Sequence, residues 1–177
     1  MTRRRFATVA WSLCGALALG SCYAREAEPA RAAEPDHGAP VQFTFGTIAG
    51  GELSSDTTRG RTTALLFVTT YDLPSQAEAE LLRDVLSTHR PVANAAIVMM
   101  EPPHSAALAQ VWADAIGLKW PIAMASQTLM AGESQLGNIV GVPTLIVLDR
   151  RGRLIAKSEG ALAREAIRDC LTRADRY

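Results

Sequence analysis

The side chains best suited to chemistry in this 177-residue chain are Asp72, Glu101 and His104, with a hydroxyl at Ser75 and a lone downstream thiol at Cys170. Asp72 stands just ahead of Pro74 and Ser75, where a helix is expected to begin. A carboxylate there accepts the orphan backbone N–H groups of the first turn and offsets the helix dipole. Asp72, Glu101 and His104 could also hold a divalent metal or act as an acid–base pair, if the loop Glu101-Pro102-Pro103-His104 opens on the edge that carries Asp72. The plainer reading of His104 is a surface or capping residue near a helix start. Met99, Met100, Met124 and Met130 lie in or beside apolar runs and read as core filling rather than soft-metal ligands. Cys170, at a core spacing on a C-terminal helix, reads as a small hydrophobe. Nothing in this set calls for a cofactor.

Positioning these residues falls to an alternation of strands and helices. Thr63-Ala64-Leu65-Leu66-Phe67-Val68-Thr69 is almost wholly apolar or β-branched, as a central strand covered on both faces must be. A helix follows from about Ser75 to His89, with Ala79, Leu82, Val85 and Leu86 on its apolar face. Ala95 to Met100 reads as a second buried strand, and Ser105 to Gly117 as a helix with Leu108, Val111, Trp112 and Ile116 inward. Trp120 to Met124 is a short apolar run, and Gln127 to Leu136 a short helix. Pro143 to Asp149 is a strand, Arg150 to Arg153 a hairpin turn, and Leu154 to Ser158 the return strand. Leu162 to Arg173 closes the order as an amphipathic helix with Ile167, Cys170 and Leu171 inward. Upstream, Val41 to Phe45 alternates like a half-buried strand and leads into a glycine-punctuated turn region. The order predicts an α/β domain with helices on both faces of a central mixed sheet.

Composition agrees with a folded chain: 48% hydrophobic and 20% charged residues exclude low-complexity and collagen-like classes. Zero formal net charge gives no electrostatic footprint for nucleic acid. The charge is unevenly placed. Arg3, Arg4 and Arg5 open the chain, and the first acid is Glu26. Behind the arginines runs an apolar segment from Phe6 to Gly20, too short to span a membrane as a mature helix. With small residues at its end, it reads as a signal peptide over 1–21. Loss of that segment removes three of the 18 basic residues and none of the 18 acidic ones, leaving a net charge of −3. Leu19-Gly20-Ser21-Cys22 resembles the bacterial lipobox, whose cysteine takes a diacylglycerol and becomes the mature N-terminus. Thr2-Arg3-Arg4-Arg5-Phe6 also resembles a twin-arginine export motif, although a simple positive n-region explains it as well. Tyr23 stands where an inner-membrane retention aspartate would follow, which points mildly to the outer membrane. Residues 22–40, rich in Ala, Glu, Pro and Arg without apolar periodicity, read as a flexible tether. The folded domain is placed at 41–177.

Two stretches resemble the thioredoxin-like superfamily, and in particular its TlpA-type membrane-tethered reductases. Gly60 to Ser75 resembles the approach to the active site, where a strand ends in Thr and an aromatic residue before Cys-x-Pro-Cys opens the first helix. Gly141-Val142-Pro143-Thr144-Leu145-Ile146-Val147-Leu148-Asp149, followed by Arg-Arg-Gly-Arg, resembles the second landmark, a cis-proline ahead of a core strand and hairpin. The resemblance spans Val41 to Ala174. It implies a thioredoxin-like fold and a groove for an extended peptide beside Tyr71, Asp72, Pro74, Val142 and Pro143.

It also exposes a departure. The family's two cysteines fall on Asp72 and Ser75, and thiol–disulfide exchange needs an attacking thiolate and a resolving thiol. Cys14 leaves with the signal peptide, Cys22 is tied to lipid, and Cys170 is alone. A peroxidatic thiol is missing for the same reason, and oxygen ligands at Asp72 and Ser75 are too hard for the Cu(I) of Sco-type carriers. The sequence thus describes a lipid-anchored binding module of the bacterial cell envelope. It leans away from an enzyme, and its expected partners are the membrane and a protein or peptide. The alternatives are an oxidoreductase working through Cys170 with an external thiol, and a Sco-like metal carrier.

Overall fold

The computed structural model describes residues 38–177, all within one compact unit, Asp36–Tyr177. The signal peptide at 1–21, the lipidation residue Cys22 and the tether up to residue 37 lie outside the described residues.

Thr63–Val68 (β3) is buried at every position and forms the middle of a five-stranded sheet. Asn94–Met99 (β4) pairs with it in parallel, and Ile122–Met124 (β5) pairs in parallel with β4. On the other side Thr144–Leu148 (β6) runs antiparallel to β3, and Leu154–Glu159 (β7) antiparallel to β6. The sheet order is β5-β4-β3-β6-β7. The all-apolar character of β3 follows from this central place, since both its faces must be covered.

The pleat divides the core. Ala64, Leu66 and Val68 face a cluster with Leu73–Thr88 (α2), Ala106–Ala115 (α3) and Arg164–Asp175 (α5). Leu65 and Phe67 face a second cluster with Val41, Phe43, Phe45, Leu53, Leu129 and Leu136. Each fully buried Leu or Phe contributes roughly 1.5–3 kcal/mol. Helices therefore lie on both faces, but unevenly. The three long ones share one face. The other is covered by Gln127–Met130 (α4) and by the hairpin of Thr44–Gly46 (β1) and Glu52–Ser54 (β2), which leads into Ser55–Thr58 (α1).

Several sequence expectations are corrected. The alternation from Val41 to Phe45 is real in burial, but pairing begins only at Thr44, because the Gln42 N–H is taken by Gln135 Oε1 at 2.7 Å. In α3 the inward residues are Ala109, Trp112, Ala113 and Ile116, while Leu108 and Val111 are exposed. Positions 109, 112, 113 and 116 recur at i, i+3, i+4 and i+7, so the face that meets the sheet is turned away from Leu108 and Val111. The helix expected to reach Leu136 stops at Met130 and turns at Gly132, whose φ of +76° suits a residue without a Cβ. Met130 itself is exposed, so core filling holds for Met99 but not for Met130. Among the described residues no helix is long and apolar enough to cross a membrane.

The β6–β7 hairpin is fixed by one carboxylate. Asp149, fully buried, accepts from the Arg151 and Arg153 N–H groups at 2.9 and 2.8 Å, and from Arg153 Nε at 2.7 Å. Gly152, at φ +82°, completes the turn.

Candidate functional site

Strand β3 ends at Val68, and four residues later the chain enters α2. Asp72 is the N-cap of that helix, in extended backbone geometry, with Pro74 in the first turn where its missing N–H costs nothing. Its Oδ2 accepts two hydrogen bonds, from the Ser75 backbone N–H at 2.8 Å and from Ser75 Oγ at 2.6 Å. Ser75 is fully buried, and its Oγ in turn accepts from the Thr69 N–H at 3.4 Å. The two positions thus form a closed local network between strand end and helix start, as expected of a capping aspartate.

Glu101 closes the neighbouring strand end. It is buried, and its Oε1 accepts from the Thr70 N–H, which ties the β4–α3 loop to the β3–α2 loop. Asp72 and Glu101 therefore do sit on one sheet edge. His104 lies in a short 3-10 turn, Pro103–Ser105, and is exposed. Among the described residues no three His, Cys, Asp or Glu side chains are grouped to hold a metal ion.

The antiparallel register brings the second landmark to the same edge. Thr144 pairs with Phe67, so continuing the ladder places Pro143 and Val142 beside the end of β3. The Val142–Pro143 peptide bond is cis. Around this edge the surface is apolar: Tyr71, Leu73 and Val140 are 81%, 78% and 75% exposed. Pro74 is also exposed. Beneath it the polar groups are unusually poorly satisfied. Thr69 Oγ1, Thr70 Oγ1 and Glu78 Oε1 are buried without hydrogen-bond partners, a condition that native structures concentrate at special sites.

Glu78 was not singled out by sequence reasoning. It lies three residues after Ser75 on the inward face of α2, and it is almost completely buried. Its Oε2 accepts from the Leu162 N–H at 2.9 Å, joining α2 to the chain entering α5. Desolvation raises its pKa above the ordinary value, and that one hydrogen bond opposes the rise only in part. The available signal was positional. Residues 75, 78, 79, 82 and 85 recur at helical spacing, and a carboxylate on that stripe must be buried.

Cys170 is buried on α5, with Arg173 Nη2 at 3.8 Å from its sulfur. Burial raises the thiol pKa, and the nearby arginine only partly counters this. Such a thiol is a poor source of thiolate.

A strand–helix crossover into β4, a proline-led antiparallel β6, a hairpin and a closing helix on the same face as α2 decide the architecture. The fold is thioredoxin-like. No family model and no curated protein sequence matches the chain, but solved structures of this fold do. A thioredoxin-family thiol:disulfide interchange protein from Chlorobium tepidum TLS superposes with a TM-score of 0.64 at 20% identity, over 77% of this chain and 95% of that one. A DsbF homologue from Corynebacterium diphtheriae gives 0.65 at 18% identity, over 76% and 85%. A secreted Mycobacterium tuberculosis disulfide oxidoreductase homologous to E. coli DsbE gives 0.60 at 16%, over 74% and 95%. In this thioredoxin-like chain the cap of α2 is Asp72 and Ser75 stands three residues on, with no thiol at either position.

Proposed function

We propose that the chain is a lipid-anchored thioredoxin-like protein of the bacterial cell envelope that binds an extended peptide or protein segment and carries out no thiol–disulfide exchange. The observation that carries this reading is the Asp72–Ser75 network. A carboxylate and a buried hydroxyl, bonded to each other and to the backbone, fill the start of α2 and leave nothing there to attack a disulfide. The exposed side chains of Tyr71, Leu73 and Val140 beside Val142-Pro143 supply an apolar rim for a partner. The named activities of the structurally similar proteins favour an oxidoreductase family background, and the buried, pKa-raised Cys170 argues against a substitute thiol.

The test has two arms. Purified protein should not accelerate the reduction of insulin disulfides by dithiothreitol or glutathione above the rate of a no-protein control. A photo-crosslinker replacing Leu73 should trap an envelope protein in cells, and Val142→Asp should abolish that adduct. Insulin turnover that Cys170→Ser removes would overturn the reading in favour of an enzyme.

A further inference from the structure

The end of the domain opposite Asp72 carries a different chemistry. There the chain enters β3 through Gly60-Arg61-Thr62, enters β4 through Arg90-Pro91-Val92, and turns between β6 and β7 through Arg150 and Arg151. The α5 terminus joins them: Arg150 Nη2 donates to the Asp175 carbonyl at 2.9 Å, and Arg176 follows. Arg61, Arg90, Arg150, Arg151 and Arg176 are all exposed, and none forms an ion pair among the described residues.

The acids of this end are spent elsewhere. Asp175 binds His89 Nε2 at 2.8 Å and Thr62 Oγ1 at 2.6 Å, Asp149 holds Arg153, and Asp56 pairs with Arg59. Arg61 and Arg150 flank a recess of about 300 Å³ floored by Gly60, Thr62 and Pro91. At its rim stands Val92, an exposed aliphatic side chain among the cations. Arginine forks over a concave surface, with an apolar residue between them, match phosphate esters at a lipid–water boundary.

The position of the N-terminal connection says which phosphates. The Val41 N–H bonds to the Gly152 carbonyl at 2.9 Å, so the chain joins the domain at the β6–β7 hairpin, on this same end. From Cys22 to Gly38 the backbone reaches at most roughly 55 Å, and it joins the domain on this end, so the arginine face can lie against whatever holds Cys22. We propose that the arginine end docks on the anionic phospholipid headgroups of the membrane that carries the chain's N-terminal segment, presenting the Asp72 end outward. The proposal rests on the membrane anchoring proposed above.

The test separates the two. Both core clusters are built from residues between Val41 and Ala174, so the segment 38–177 carries its own core and can be studied without Cys22. It should co-sediment with vesicles of phosphatidylcholine containing 30 mol% phosphatidylglycerol, but not with pure phosphatidylcholine, and the binding should fall as salt rises. Each basic side chain at an anionic surface raises partitioning about fivefold. Arg61→Ala/Arg150→Ala should therefore lower it roughly 25-fold, with an unchanged circular dichroism spectrum certifying the fold. Equal sedimentation of variant and parent would overturn the proposal. So would failure to bind anionic vesicles while binding a synthetic 24–36 peptide or polyglutamate, which would assign the surface to an acidic polypeptide. Anchoring itself is read from the mass of the N-terminal peptide of the membrane-extracted chain, whose outcome leaves the vesicle result standing on its own.

Discussion

Replacing Asp72 by alanine removes the acceptor of two hydrogen bonds at once, since both Ser75 N–H and Ser75 Oγ point to Oδ2. Loss of an aspartate cap alone costs about 1 kcal/mol. Ser75 is fully buried, so its hydroxyl loses an acceptor that water cannot replace, at a further ~1–2 kcal/mol. The sum is about 2–3 kcal/mol, or a fall in Tm of roughly 6–12 °C for a unit of this size. Asp72→Asn behaves differently. Its single carbonyl oxygen can accept both bonds, and only the charge at the helix N-terminus is lost, about 0.3–1 kcal/mol. Ser75→Ala should cost ~1 kcal/mol, and the Asp72→Ala/Ser75→Ala double variant should cost less than the sum of the two. Urea unfolding at pH 7, followed by far-UV circular dichroism, measures all four variants. Equal losses for Ala and Asn at position 72, or additive single and double variants, would refute the network as the element that fixes the start of α2.

Three further outcomes follow from buried groups. Glu78, with its pKa raised by burial, contributes stability that is fully present below the ordinary value of 4.5 and lost as pH rises through the folded-state value. Glu78→Gln should therefore gain on the parent between pH 4.5 and neutrality, and parallel stability–pH curves would count against a buried carboxylic acid. Cys170 should react with Ellman's reagent only at the global unfolding rate, and a fast reaction in the native protein would contradict its burial. Asp149→Ala should cost about 3 kcal/mol, because it strands the Arg153 guanidinium and two hairpin N–H groups; a Tm change under ~2 °C would show that the hairpin closes without it.

Much of the fold was legible because burial and period coincide in its middle. β3 has no polar side chain between Ala64 and Val68, and the hairpin after β6 advertises itself by Asp149 and Gly152. The cap at Asp72 was legible from the adjacent Pro74 and Ser75. The face of α3 was not, since the helix turns its alanines inward and leaves Leu108 and Val111 to solvent, against simple size ranking. The short β2 and α1 escaped notice inside a glycine-rich passage, where capping by Ser54 and Thr57 decides the structure over four residues. Glu78 was hidden for a related reason. Charge normally marks an outward position, and only its place in the helical stripe contradicts that rule.

The sheet's two margins are treated unequally. Beyond β5, Ile48 donates to the Ile122 carbonyl at 2.9 Å and Thr47 bridges Ala123, so the N-terminal hairpin seals that side. Among the described residues β7 has a strand neighbour only in β6, so the outward-pointing N–H and C=O groups of this six-residue strand meet no strand partner. A bare strand margin invites a foreign strand to zip on, and the customary guard is a lysine. Lys157 sits in the middle of β7, with its ammonium donating to the Asn138 carbonyl at 2.5 Å. In a crowded compartment, this margin of β7 is where, among the described residues, a foreign strand would find backbone to pair with, and Lys157 is the charge it would meet.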